Sequence, residues 1–351
     1  MLYKSIMWDY ISEEERVLNH QINHNQTVLF DDDVSEILFV AHGSSYNAAV
    51  AIKPFITKFC RVNVQVFTPD NFMTNSKYIF LNEKYIIVGI SQTGTSSGVL
   101  KALEDVKGKC EIYGITSGKN SPIDKLSDKT IYLECGEEDS NAKTKGYSST
   151  LLQLMLFALN NAKSKKYISD DTCTNIINDL KKEISLIPSI KDKTNKWCED
   201  NKFGVGMENE YVIGSGMNFG TALEGQLKMM ETLRIPTMFN DIVEFSHGMH
   251  RSINNKSYIV LINSSDEFKK NLFTKTFSYM KKIAKSCILI NLSDEADGHN
   301  VINIPMFEYD ESILLTTLVI QVISAYVPEV NNLDPNDCVN DDYTDIVNTR
   351  V

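Results

Sequence analysis

No stripe of basic residues runs through this 351-residue chain: 35 Lys and Arg stand against 46 Asp and Glu, a formal net charge of -11. Nucleic-acid binding, which needs clustered cations to neutralise phosphates, is excluded on that count. The KSKK run from Lys163 to Lys166 and the pairs at Lys269 and Lys281 fall on expected helices and read as solvated faces. A small anion stays compatible with the charge, because a few convergent donors suffice locally. No two of the seven cysteines have CxxC spacing and their number is odd, so a disulfide framework is excluded and a reducing cytoplasm is expected. No His, Cys or carboxylate set has metal-ligand spacing, so neither a metal nor another cofactor is expected. No basic segment followed by an apolar one opens the chain, which argues against secretion. The longest apolar run, Ser312 to Val327, falls short of the roughly 20 residues a membrane span needs and carries Thr, Gln and Ser, so it reads as a buried helix with no membrane partner.

What the chain does have is a series of short, almost wholly apolar β-rich runs separated by helix-length stretches. ILFVA, VNVQVF, YIIVGI, CEIYGIT and TIYLEC fill the first half, and YVIGS, SYIVLIN, CILINLS and VINIPM the second. Continuous apolar strands alternating with helices indicate parallel sheets covered on both faces, an α/β doubly wound architecture. Laying FVAHGSSYNAAVA on VIGSGMNFGTALE superposes Gly43 on Gly216 and Tyr46 on Phe219, nearly half a chain apart. A repeat that long is a domain, since each copy can bury its own core. The expected organisation is a first domain over 1–165 with an N-terminal amphipathic helix, a helical connector over 166–201 broken or kinked at Pro188, and a second domain over 202–351 with a tail.

Three turns carry the chemistry. YIIVGI breaks into Ser91, Gln92, Thr93, Gly94, Thr95, Ser96 and Ser97 ahead of a helix. A buried strand that delivers hydroxyls and a glycine to a helix N-terminus builds an anion site, because orphan N–H groups and the positive dipole end face the ligand. An N-cap alone would also want Ser or Thr, but not five hydroxyl residues in seven. The Gly43-Ser44-Ser45 turn repeats the strand, turn, helix pattern, and His42 before it reads as structural. The third turn follows YVIGSGMNFG and leads into TALEGQLKMMETL. Glu224, Lys228 and Glu231 stand at i, i+4 and i+7 of that helix, on one face, with Leu223, Leu227 and Met230 as a neighbouring stripe expected to pack. Spacing of this kind usually marks a solvated i, i+4 pair.

ALEGQLKMMET followed by EFSHG resembles the sugar isomerase (SIS) domain family, in particular the isomerase half of glucosamine-6-phosphate synthases. That pattern reads ALEG-x-LK-x-x-E and then E-x-x-HGP. The chain keeps Ala222, Leu223, Glu224, Gly225, Leu227, Lys228, Glu231, Glu244, His247 and Gly248, and places Met249 at the proline. SQTGTS is similar to the family's SQSGET loop, and GEEDSNAKTKGYSST to its GTEIGVASTKAFTT segment, with Lys143 where the synthase has a sugar-contacting serine. Lys143 and Lys145 are each open to a substrate-facing or a helix-starting reading.

The resemblance implies two tandem SIS domains and a phosphosugar held by Ser44, Ser45, Ser91, Gln92, Thr93 and Ser96. It implies Glu231 as the base that shuttles a carbon-bound proton and His247 as the ring-opening group, contributed by a neighbouring subunit in a homodimer. Glu224 and Lys228 would orient them. Two departures matter. The sequence begins at the isomerase region, without the synthase's glutaminase domain, so ammonia from glutamine is not expected. The tail LDPNDCVNDDYTDIVNTRV has Asp345 or a neighbour where the synthase has a lysine. Both point to glutaminase-free relatives such as fructosamine-6-phosphate deglycases and amino-sugar phosphate deaminases or isomerases. A phosphosugar sensor is the alternative class, although no helix-turn-helix precedes residue 30; a purely structural subunit is a third, against which Glu231 and His247 argue.

Overall fold

The computed structural model describes residues 4–78, 84–293, 298–340 and 342–350, leaving aside the side chains of Thr344 and Asp345, so the tail position named above lies outside the described side chains. In chain order the first elements are α1 (Met7–Asn23), β1 (Glu36–Ala41), α2 (Gly43–Cys60), β2 (Asn63–Phe67), α3 (Pro69–Asn75), β3 (Tyr85–Ile90), α4 (Ser97–Glu104), β4 (Glu111–Thr116), α5 (Pro122–Leu126), β5 (Lys129–Tyr132) and α6 (Lys145–Ser164). After them come α7 (Asp170–Asn201), β6 (Glu210–Gly214), α8 (Asn218–Thr232), β7 (Thr237–Asp241), α9 (Ile242–Phe245), a 3-10 turn (Met249–Ser252), β8 (Tyr258–Ile262), α10 (Glu267–Met280), β9 (Ser286–Leu292), β10 (Val301–Ile304), α11 (Ile313–Val330) and α12 (Asp342–Ile346).

The strands form two five-stranded sheets, all parallel, ordered β2-β1-β3-β4-β5 and β10-β9-β8-β6-β7. Read from the other edge, the second order is the first one repeated. The α/β doubly wound reading is the observed fold, and its physical basis is burial: β6 and β8 are buried at every position, as are β1, β3 and β4 after their first residue. In the first unit Leu38, Val40, Ile87 and Ile112 pack under Val99, Leu103 and Ile123. In the second, Ile213, Ile259, Leu261 and Leu289 pack under Phe245, Phe273 and Phe277.

The chain divides into two compact units that interleave along the sequence. One, holding the first sheet, comprises 16–138, 146–178 and 338–351; the other, holding the second sheet, comprises 1–15, 139–145 and 179–337. This departs from the sequential boundaries expected at 165 and 201: the first residues group with the second sheet and the last with the first. α7 runs from Asp170 to Asn201 through Pro188 without the expected break, so the proline's missing N–H is absorbed within one helix. α11 is the described helix long and apolar enough to cross a membrane, yet every residue from Ile313 to Pro328 is buried in the protein, as expected of a core helix.

One buried carboxylate stands out in the second sheet. Glu210 opens β6 between Thr237 of β7 and Tyr258 of β8, and its Oε1 has no hydrogen-bond partner among the described residues. Burial pushes its pKa up to about 8. The folded protein therefore keeps a proton there that the unfolded chain releases near pH 4, and stability falls as pH rises between these limits and levels off above about 8. Glu210→Gln is expected to make that decline shallower and to raise the thermal midpoint at pH 8 above that of the wild type, by about 2–4 °C per kcal/mol recovered. Calorimetry from pH 5 to 8.5 measures it; identical pH profiles would show that Glu210 is ionised in the folded state.

Candidate functional site

In the first unit β1 and β3 are neighbours, with Ala41 level with Ile90, so the turns that follow them leave the same edge of the sheet side by side. One turn runs through His42 and Gly43 into α2, with Ser44 and Ser45 half-buried on its first turn. The other is the Ser91–Ser96 loop. Ser91 is buried, and its Oγ accepts from the N–H groups of Gly94 at 3.1 Å and Ser96 at 3.4 Å, so this serine organises the loop from inside. Gly94 takes φ +76°, and a Cβ there would collide with Ser121 Oγ at 2.1 Å, so only glycine fits. Thr93 and Thr95 share a hydroxyl hydrogen bond of 2.9 Å at the outer rim, where Thr93 is exposed. Gln92 turns its amide inward, its Nε2 donating to Cys135 Sγ at 3.8 Å. The ring of His42 lies against Gly98 in α4, and burial there holds its pKa below the ordinary histidine value.

The tail supplies a contact that the sequence did not announce. Ser97 N–H donates to Thr349 O at 3.2 Å, Ser97 Oγ donates to Asn348 O at 2.8 Å, and Arg350 forms an antiparallel bridge with Ser96. The last described residues therefore lie along the start of α4, and an N–H and a hydroxyl that would face an anion are engaged by tail carbonyls. No spacing rule relates residues so far apart.

In the second unit α8 packs on β6, β7 and α11, and its orientation reverses the sequence expectation. Glu224 and Lys228 are fully buried, whereas Leu223 and Leu227 are only partly so and Met230 is 50% exposed. The periodicity argument assumes that charge seeks water. It fails here because the charges compensate one another: Lys228 Nζ lies 2.6 Å from Glu231 Oε2 and 3.4 Å from Glu224 Oε1. Burial alone would lower the Lys228 pKa, but the carboxylates of Glu231 and Glu224 overcome it and hold the ammonium above its usual range. The Glu231 side chain, 33% exposed, is the outermost of the three. The arrangement is a carboxylate at the edge of the core, oriented by a buried cation that a second buried carboxylate neutralises.

Glu244 is the third residue of α9 and is exposed, as are His247 and Gly248 after the helix. His247 Nδ1 lies 2.8 Å from Val243 O. A carbonyl only accepts, so Nδ1 carries the proton and the neutral ring keeps its lone pair on Nε2. Lys145 is structural: its Nζ is buried, 2.7 Å from Glu13 Oε2 and over the ring of Tyr10. Lys143 is half-buried two residues before it. The structure thus groups Ser44, Ser45, Ser91, Gln92, Thr93 and Ser96 on the first sheet's edge and Glu224, Lys228 and Glu231 on α8, with His247 on its own loop. Among the described residues no group of His, Cys, Asp and Glu could hold a metal ion.

Residues 32–160 match the family described as the SIS domain. It is 27% identical over 325 residues to a glutamine–fructose-6-phosphate aminotransferase (isomerizing) of Caldanaerobacter subterraneus subsp. tengcongensis, covering 87% of this chain and 52% of that one. A protein of the same name from Clostridium tetani is 26% identical, covering 84% and 49%. The chain spans about half the length of these curated relatives. Among solved structures, a candidate phosphosugar isomerase of Clostridium difficile 630 superposes with a TM-score of 0.88 at 27% identity, over 98% of this chain and 99% of that one. The C-terminal domain of a glucosamine-fructose-6-phosphate aminotransferase from Francisella tularensis shares the fold, with a TM-score of 0.84 at 22% identity, over 96% and 99%.

The buried charges make a direct stability test. Lys228→Met removes the buried cation that lies between Glu224 and Glu231 and is expected to cost about 3–5 kcal/mol in urea unfolding. Adding Glu224→Gln should recover more than half of that loss. Equal stability of Lys228→Met and wild type would mean that the cluster is hydrated rather than buried.

Proposed function

We propose that this chain is a phosphosugar isomerase-type enzyme that moves a proton between C1 and C2 of a sugar or amino-sugar 6-phosphate, as a ketose/aldose isomerase, a deaminase or a deglycase. The observation that carries the reading is Glu231, a carboxylate at the rim of the core whose orientation is fixed by the buried Lys228. A solvated helix pair needs no such burial. A proton-transfer group needs a fixed direction and a dry side. Relatives named for an isomerizing fructose-6-phosphate aminotransferase support the substrate class.

The phosphate is assigned to the hydroxyls and amides of Ser44, Ser45, Thr93 and Ser96, with Ser91 and Gln92 holding the loop in shape and Lys143 as a further sugar contact. Ring opening is assigned to His247 of a neighbouring copy in a homodimer. Its Nε2 takes the anomeric hydroxyl proton as the ring C–O bond breaks and the carbonyl forms, and the proton then goes to the departing ring oxygen. Glu231 removes the proton from the carbon beside the carbonyl, leaving an enediolate, and returns it to the adjacent carbon as the hydroxyl proton on one oxygen passes to the other. Lys228 and Glu224 set the carboxylate's position throughout. The reaction needs no cofactor, and a metabolic role of this kind fits a cytoplasmic protein.

The test is deuterium exchange followed by NMR in D₂O, with fructose-6-phosphate and ammonia, glucosamine-6-phosphate or a fructosamine-6-phosphate as substrate. Wild type is expected to incorporate deuterium at C1 or C2 of one of them, and Glu231→Gln to lose about 10²–10⁴-fold of that rate. Full turnover in the variant removes Glu231 as the base. Tight phosphosugar binding by wild type with no exchange at either carbon makes the chain a sensor.

A further inference from the structure

A doubly wound sheet has one place where adjacent strands send their connections to opposite faces, and a ligand crevice opens there at the carboxyl edge. In the first sheet it lies between β1 and β3, flanked by the Gly43 turn and the Ser91–Ser96 loop. In the second it lies between β6 and β8, where Ile213 is level with Leu261. The backbone there repeats the first unit. Gly216 follows β6 at φ +60° just as Gly43 follows β1 at φ +52°, each two residues past the strand.

The occupant differs. Glu311, on the connection from β10 to α11, lays its carboxylate on the Gly216 turn. Met217 N–H donates to Oε2 at 3.2 Å, Asn218 Nδ2 donates to the Glu311 carbonyl at 3.2 Å, and a Cβ at residue 216 would stand 2.7 Å from Oε2. Burial raises the pKa of that carboxylate; Lys269, in the first turn of α10, draws it back down, and Asp266, which caps α10 by accepting from Lys269 N–H at 3.0 Å, pushes it up again. These are the elements of an anion site, a left-handed glycine, a helix-start N–H and a cation, filled from within the chain.

The delivery of that carboxylate is built at a cost. Glu311 and Ser312 both take φ +54°, a left-handed conformation that side chains other than glycine resist. The surroundings hold them there. Ser312 N–H donates to Asp310 Oδ1 at 3.1 Å, Ser312 Oγ donates to Pro305 O at 2.8 Å and accepts from Phe307 N–H at 2.9 Å. Beneath them the buried Glu183 accepts from Leu315 N–H at 3.0 Å and hydrogen-bonds Asp310.

We propose that the second unit retains a latent site for a phosphate-class anion and that Glu311 is its resident occupant, so that the chain takes one phosphosugar, in the first unit. The single-site count rests on the assignment of the first unit under Proposed function; the latent site does not. Isothermal titration of the full chain with inorganic phosphate, against wild type, Glu311→Gly and Glu311→Gln, tests it. Glycine removes the carboxylate and suits the left-handed backbone; glutamine keeps the shape without the charge. Wild type is expected to bind one phosphate per chain, Glu311→Gly two, and Glu311→Gln two with the second weaker. A wild type that binds none while Glu311→Gly binds one would defeat the first-unit assignment and uphold the latent site. Wild-type stoichiometry in whichever of the two variants is folded, or two phosphates on wild type, overturns the proposal.

Discussion

A parallel strand can return to its neighbour's starting edge only by crossing a face of the sheet, and both sheets here are parallel throughout. Much else follows from that constraint. Covering both faces makes the strands apolar from end to end, and reversing the winding once per sheet opens one crevice at the carboxyl edge. The hydroxyl-bearing turns of the first sheet and the Gly216 turn of the second are the lips of those two crevices. The catalytic candidates use the same geometry, since α8 is the crossover helix that leaves β6 and reaches β7, which is why its inner face is available to buried charge.

Within that frame the two units treat charge in opposite ways. The first unit gathers neutral donors, hydroxyls and amides, and leaves them near the surface. The second buries an ionised cluster and balances it, Lys228 between two carboxylates, and it buries the carboxyl pair Glu183 and Asp310, where burial and the neighbouring Asp310 hold the Glu183 pKa well above the ordinary carboxylate value. Donors without a counter-charge suit a ligand that brings its own negative charge. Balanced ions suit work on a neutral carbon centre, where position and proton affinity decide the rate.

The strands and the shared winding were legible because a strand buried on both faces writes itself as an unbroken apolar run, as YIIVGI and YVIGS do. The hydroxyl loop was legible because its composition exceeds what a cap requires. The orientation of α8 was not. Leu223, Leu227 and Met230 offered the conventional packing stripe, and only the three-dimensional closure of Lys228 on Glu224 and Glu231 explains why the charged face turned inward. Nor could sequence place Asn348 to Arg350 on Ser96 and Ser97, or Glu311 on the Gly216 turn. Those pairings join residues with no periodic relation, and their local sequences carry ordinary turn chemistry. Pro188 does not break α7, because the rest of a long helix can absorb one lost backbone bond.

The interleaving of the units bears on how the chain comes to be folded. The first-sheet unit includes residues 338–351, and the second-sheet unit needs α11, whose buried residues reach Pro328. A purely sequential order, one unit closing before the other is begun, therefore does not match the contacts of the finished fold: residues 1–15 find their partners only when the second sheet is made, and residues 338–351 return to a first sheet already laid down.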